Sequence, residues 1–205
     1  MHFITFEGCD FSGKSTQIKL LQEYLEINNK KVCVTREPGG TILAEKIREL
    51  LLLRNEISDP LIEYLLISAA RKDHVDNLIK TKLKEGYYVI SDRFYDSSVC
   101  YQGYYKNLNT TTLNIIKELT INKFEPDLTF LIDISVDEIL KRKNIKRAEN
   151  NIYDNKNQEF YQKIKASYLE IANKNPHRIF VIDGNKKAKD ISKQIIKIFT
   201  KKYYS

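Results

Sequence analysis

Residues 8–15 read Gly8-Cys9-Asp10-Phe11-Ser12-Gly13-Lys14-Ser15 and fit G-x-x-x-x-G-K-S/T at every fixed position. The chemistry open to such a stretch is a grip on polyphosphate. Glycine lets successive backbone N–H groups turn toward one anion, and a following helix adds the positive end of its dipole. Lys14 is long enough to reach β- and γ-phosphates, and the hydroxyl of Ser15, next to Thr16, suits Mg2+. The pattern predicts binding of a nucleoside triphosphate. Asp10 is repelled by phosphates unless it meets a cation or a sugar hydroxyl; its alternative task is to bond loop amides. Cys9, beside a helix N-terminus, is either a thiol of lowered pKa, open to oxidation, or a small buried loop residue.

Three further clusters carry arginine. Thr35-Arg36-Glu37-Pro38-Gly39-Gly40-Thr41 is a tight turn opening a helix that holds Arg48. Ser68-Ala69-Ala70-Arg71 lies within a long helical stretch, and Ser91-Asp92-Arg93-Phe94 follows an apolar run. The planar guanidinium pairs with phosphate through two parallel bonds. Arg36, Arg71 and Arg93 converging on one crevice therefore predict a second, phosphorylated substrate. Asp92 is a natural Mg2+-facing carboxylate, with Asp133 as its competitor.

The elements that must position these residues are legible from periodicity. Short β-branched or aromatic runs predict strands at Phe3–Glu7, Lys31–Thr35, Tyr87–Asp92, Leu128–Asp133 and Arg178–Asp183. Apolar residues at helical spacing predict helices at Lys14–Asn28, Ile42–Leu53, Leu61–Lys84, Thr110–Asn122, Val136–Ile145, Glu159–Lys174 and Ala188–Lys202. The alternation implies an α/β fold, a doubly wound parallel sheet with helices on both faces, in one domain spanning residues 1–205. Ligands of such sheets bind past the carboxyl ends of the strands, where the three arginine clusters fall. Residues 141–157, rich in Asn, Lys and Arg, read as a flexible loop or lid.

The chain has 205 residues, 42% of them apolar, enough for a core and too many for a disordered or fibrous chain. Its net charge of +7 is unevenly spread. Residues 1–134 hold 17 basic and 19 acidic side chains, whereas residues 135–205 hold 17 and 8. The surplus reads as solvated lysine surface, with a phosphate-facing segment after residue 135 as the sharper alternative. Three cysteines without metal-ligand spacing suggest neither a disulfide framework nor a zinc site. An N-terminus without a basic leader, and no apolar run near ~20 residues, predict a soluble cytoplasmic protein without a membrane partner.

Taken in order, these motifs resemble those of the thymidylate kinases, of bacterial type, over nearly the whole chain. The resemblance rests on Phe6-Glu7-Gly8 through Lys14-Ser15-Thr16-Gln17, the 35–41 turn, Leu65-Leu66-Ile67-Ser68-Ala69-Ala70-Arg71, and Asp92-Arg93-Phe94 leading to Ser97-Ser98 and Tyr101-Gln102-Gly103. It implies a five-stranded phosphate-loop kinase fold with a mobile lid, usually a homodimer, moving the γ-phosphoryl of ATP to dTMP with Mg2+. By similarity Glu37, Pro38 and Arg48 sit beside the dTMP sugar and phosphate, and Asp10 near the sugar. Arg71, Ser98 and Gln102 address the thymine edge, Tyr101 lies in the same pocket, and Arg93 with Arg36 holds the monophosphate. Asp92 positions Mg2+ or the acceptor phosphate. The attacking phosphate oxygen is already ionised, so catalysis reduces to alignment and charge neutralisation.

Two positions depart from the family. Thymine usually stacks on a Phe where this chain has Ile67, which removes the aromatic face. The phosphate loop carries no basic residue among Cys9, Asp10, Phe11 and Ser12, so catalytic charge must come from the lid. There the expected Asp-Arg-φ-Glu pattern reads Asn151-Ile152-Tyr153-Asp154, leaving Arg142 and Arg147 as suppliers. The rivals are a phosphate-loop kinase of another acceptor, a nucleic-acid-linked ATPase, and a switch GTPase. The last lacks any Asn-Lys-x-Asp sequence, and no nucleic-acid module is recognisable.

Overall fold

A computed structural model describes residues 2–52, 59–145 and 157–204. Strands β1 (Phe3–Glu7), β2 (Val32–Arg36), β3 (Tyr88–Asp92), β4 (Leu128–Asp133) and β5 (Ile179–Asp183) run parallel in the order β2-β3-β1-β4-β5. The pairing Phe6↔Asp92 and Glu7↔Leu131 brings the carboxyl ends of β1, β3 and β4 to one edge. All five residues of the central β1 are buried, as expected for a parallel sheet covered on both faces.

Side chains alternate across the sheet. Ile4 and Phe6 of β1 face α1 (Lys14–Ile27) and the C-terminal helix, and pack with Ile18, Leu21, Leu25, Ile191, Ile195 and Phe199. Phe3, Thr5 and Glu7 point the other way. Phe3 joins Phe94 and Phe124, and Thr5 meets Thr129 through their hydroxyls at 2.7 Å. Glu7, the last residue of β1, is thus aimed at the turn after β3.

Helix α2 (Ile42–Leu52) packs on α3 (Pro60–His74), whose first turn is capped by Asp59 with Pro60 behind it. The long helix expected at Leu61–Lys84 is present but not uniform: a π-helical turn, Val75–Ile79, joins α3 to α4 (Lys80–Lys84). One helical stretch has no counterpart among the expected elements. After β3, α5 (Tyr95–Ser98) runs into a π-helical segment, Val99–Tyr105. Ser, Gly and Asp are poor helix formers, and π geometry departs from the 3.6-residue period. Helices α6 (Thr110–Ile121), α7 (Val136–Ile145), α8 (Gln158–Lys174) and α9 (Ala188–Tyr204) follow the periodicity closely. Among the described residues no helix is long and apolar enough to cross a membrane.

Arg178, just before β5, ties the layers together. Its Nη1 and Nη2 donate to the two carboxylate oxygens of Asp96 on α5 at 2.7 and 3.0 Å, and Nη1 also to Thr129. Both charged side chains are buried. Arg178→Ala leaves Asp96 buried without its counter-charge and should cost about 3–5 kcal/mol. Urea unfolding followed by circular dichroism measures this; a loss below about 1 kcal/mol would contradict the assignment.

Candidate active site

The phosphate loop turns between β1 and α1 because two glycines permit it. Gly8 (φ 133°) lies so close to β4 that a Cβ would stand 2.6 Å from the Ile132 carbonyl oxygen. Gly13 (φ 97°) is the N-cap of α1, and no side chain caps that helix. Its first N–H groups stay available to an anion, and no acidic residue occupies its first turn. Lys14 Nζ donates to the Gly8 and Cys9 carbonyls at 3.2 and 3.1 Å and lies 4.0 Å from Asp92 Oδ1. Arg142 grips the loop from its carbonyl side, donating from Nη1 to Phe11 and Ser12 and from Nη2 to Gly184, while its Nε holds Glu138 at 2.8 Å. Asp10, Phe11, Gly13, Lys14, Ser15, Thr16, Asp92 and Arg142 line one cavity.

A second cavity adjoins it, lined by Asp10, Glu37, Pro38, Arg48, Ile67, Arg71, Arg93, Ser98, Tyr101 and Gln102, with Leu51, Leu52 and Phe94 adding apolar wall. Backbone bonds extend the sheet to place its walls: Arg93 N–H donates to Phe6 O at 2.9 Å and Glu37 N–H to Asp92 O at 3.0 Å. The Glu37 carboxylate accepts from Arg71 Nε at 2.6 Å and meets His74 Nδ1 at 3.1 Å, and all three side chains are buried. Arg71 also donates to Ser98 Oγ at 2.9 Å and lies over the Phe94 ring. Arg48 donates to the Pro38 carbonyl at 2.9 Å.

Arg93 stands between the two cavities. Its Nη2 donates to Asp10 Oδ1 at 2.7 Å, and its guanidinium lies 5.3 Å from the centre of the Tyr101 ring. Its backbone is left-handed (φ 73°), a conformation that is costly for a residue with a side chain and that clusters at functional sites. Burial alone would raise the Asp10 carboxyl; the cations Arg93 and Lys14 outweigh it and hold the group below its ordinary range.

Of the expected site residues, those assigned to the acceptor gather round the second cavity, with one exception. Arg36 opens on the phosphate-loop side and is paired there with Glu45 at 2.9 Å. Of the two candidate carboxylates, Asp133 is paired with Lys165, whereas Asp92 has Lys14 at 4.0 Å and its buried Oδ1 accepts no hydrogen bond. Cys9 is a correction to one of its two readings. It is buried, and that burial outweighs the cations Lys14 and Arg93 and pushes the thiol up to about 11, so it is no low-pKa nucleophile. Residues 141–145 of the expected lid belong to α7, and Asn157 caps α8. Arg147 and Asn151 to Asp154 lie outside the described residues.

Sequence reasoning missed Glu7, Ser97 and His74 as parts of the site. The signal for Glu7 was present: an acid ending an otherwise apolar central strand. Its Oε1 accepts the Phe94 amide at 2.7 Å, and its Oε2 accepts from Ser97 Oγ at 2.6 Å. Burial, then the charge of Asp96, push its carboxyl up to about 7 against the opposing pull of Arg93.

Among the described residues no group of three His, Cys, Asp or Glu side chains could hold a metal ion alone. Mg2+ asks for less, since it keeps several waters and takes nucleotide phosphates as ligands. The orphaned Asp92 oxygen and the Ser15 hydroxyl, in one cavity with Lys14, fit that requirement.

Comparison with known proteins gives a consistent result. The family model described as thymidylate kinase matches residues 6–195. The thymidylate kinase of Mesoplasma florum is 41% identical over 201 residues, covering 98% of this chain and 95% of the relative. That of Thermosipho africanus is 42% identical over 202 residues, covering 97% and 98%. The crystal structure of thymidylate kinase from Ehrlichia chaffeensis superposes with a TM-score of 0.78 at 37% identity, covering 97% of this chain and 98% of that one.

The raised carboxyl of Glu7 makes stability depend on pH. The folded protein keeps this proton up to about 7, whereas the unfolded chain has released it near 4.5. Between those values the folded state binds more protons, so Glu7 contributes a loss of stability as pH rises, of about 3 kcal/mol in all. Glu7→Gln removes that slope, and its stability relative to the parent should climb from pH 5 to pH 8. Urea midpoints at pH 5, 6.5 and 8 check this; a pH-independent gap would contradict it.

Proposed function

Because the chain belongs to the thymidylate kinase family, we propose that its two adjoining cavities divide the labour of one phosphoryl transfer, ATP in the phosphate loop and dTMP beyond it. The protein phosphorylates dTMP to dTDP. The observation that carries the division is the wall shared by the two cavities: Asp10, Glu37, Arg48 and Arg93 line both. A γ-phosphoryl leaving one site is then delivered to the acceptor in the other without crossing water.

On this reading the loop amides and Lys14 hold the β- and γ-phosphates. Ser15 and Asp92 hold Mg2+, which supplies charge neutralisation on the transferred group. Arg93 holds the dTMP phosphate and stays fixed by Asp10, so its charge is preorganised where negative charge accumulates. Arg71, Ser98 and Gln102 address the base, Ile67 provides its apolar floor, and Tyr101 with Pro38 and Arg48 flanks the sugar and phosphate. Glu37 acts through Arg71 and His74, holding both in place. Arg36 reaches the acceptor phosphate only on releasing Glu45. Arg142, bound to loop carbonyls, shapes the donor site, and Arg147 is left as the lid's source of charge. No proton has to be removed, since the attacking phosphate oxygen is ionised at neutral pH.

A homodimer accords with exposed Leu43 and Leu50 on α2, Ile62 and Leu65 on α3, and Ile115 and Leu119 on α6, an apolar surplus of the kind that marks interfaces. The cytoplasm is where such an enzyme meets both nucleotides.

A coupled ADP-release assay tests the reading. Turnover with dTMP should exceed that with dUMP or dGMP, and thymidine, lacking a phosphate for Arg93, should give none; equal turnover with thymidine would overturn it. Ile67→Phe should restore a stacking face worth about 0.5–1.5 kcal/mol and lower the KM for dTMP roughly 2- to 10-fold. A KM unchanged or raised would contradict the placement of the base against Ile67.

A further inference from the structure

Beside Ser97, which lines the second cavity, Arg93 Nη1 meets a group from a distant helix. Tyr168 of α8 stands 75 residues along the chain. Its hydroxyl lies 2.9 Å from Arg93 Nη1, 2.8 Å from Ser97 Oγ and 3.0 Å from Glu7 Oε2. Ser97 Oγ lies 3.1 Å from the same Nη1. Arginine only donates, so both hydroxyls accept from it. Each then has one proton to give, and the chain of donors ends on the Glu7 carboxylate.

Packing alone does not call for this hydroxyl. The ring of Tyr168 lies in an apolar cluster with Phe160, Ile164 and Ile171, which a phenylalanine would fill as well. Burying an oxygen there is costly unless it is bonded. Here it is bonded to Arg93, Ser97 and Glu7. Without Tyr168 and Ser97, the Arg93 contacts that remain from the described network are Asp10 on Nη2 and the Tyr101 face. The side chain could then swing with Asp10 toward the phosphate loop. Glu7 fixes the backbone of the same turn through the Phe94 amide, and Ser91 Oγ donates to the Arg93 carbonyl at 2.8 Å.

We propose that Tyr168, with Ser97 and Glu7 behind it, is a positioning residue of the transfer reaction that holds the Arg93 guanidinium toward the acceptor phosphate. This rests on the reading of Arg93 as the acceptor-phosphate residue, and the test separates the two.

Tyr168→Phe removes the oxygen and keeps the ring. Expected are a KM for dTMP raised about 5- to 10-fold, a kcat lowered about 10-fold, and a KM for ATP within twofold of the parent. Isothermal titration of dTMP should show the same weakening. A purely structural role would lower the folded fraction and the apparent kcat but leave both KM values alone; that result, or parental kinetics, overturns the proposal. Should Tyr168→Phe fail to fold, Ser97→Ala, which withdraws the other acceptor of Nη1, carries the same expectations. Arg93→Lys is measured in parallel. If it leaves the dTMP KM unchanged, the reading of Arg93 falls and this inference with it. If it raises that KM while Tyr168→Phe does not, the inference alone falls.

Discussion

A buried guanidinium has to be surrounded by groups that can accept its protons, because arginine does not shed its charge. Arg93 imposes that constraint at the centre of the sheet's carboxyl edge. Asp10 from the phosphate loop, Ser97 from α5 and Tyr168 from α8 all turn toward it, and Glu7 from β1 anchors two of them. Of these, the phosphate loop lines both cavities and α5 lines the second. Its charge is met by Asp10 on Nη2, while the two hydroxyls hold Nη1, at the wall where the two cavities adjoin. The Glu37–Arg71–His74 cluster repeats the device in the wall of the acceptor cavity, where the Arg71 charge is neutralised by Glu37.

Much of this was legible in the sequence because local signals agreed with the global fold. The phosphate loop combines a residue pattern with the strand and helix that must flank it. The strands stand out as brief β-branched and aromatic runs, and their ends put Arg36, Asp92 and Arg93 at one edge of the expected sheet. Arg71 stands out by its own cluster and takes its role toward the base from the resemblance, which also supplies Ser98, Tyr101 and Gln102; the structure sets all four around one cavity.

What escaped notice is physically of one kind. The helical stretch from Tyr95 to Tyr105 was hidden because its π segment departs from a 3.6-residue period and its residues have low helix propensity. Glu7 looked like the terminus of a strand, since its importance depends on which face the β1 alternation gives it. Tyr168 reads in sequence as one more core aromatic of α8; only the hydroxyl's destination distinguishes it. Of the two readings of Cys9, the small buried loop residue holds, because burial outweighs the nearby cations. The charge surplus after residue 135 also resolves into particulars. Arg142 bonds the loop carbonyls while lining the phosphate-loop cavity, Lys165 is paired with Asp133 and Arg178 with Asp96. These cations hold the fold and the donor loop, and the many exposed lysines of the last third are solvated.

The central claim is that donor and acceptor phosphates meet across one wall that Arg93 dominates. Its most direct test is the affinity of a single molecule joining adenosine and thymidine through a polyphosphate bridge, measured by isothermal titration. Because the second half of such a ligand binds as an intramolecular event, the shared wall predicts binding about 10²- to 10⁴-fold tighter than ATP or dTMP alone. An affinity no better than that of ATP would mean that the two cavities do not converge, and would contradict the account.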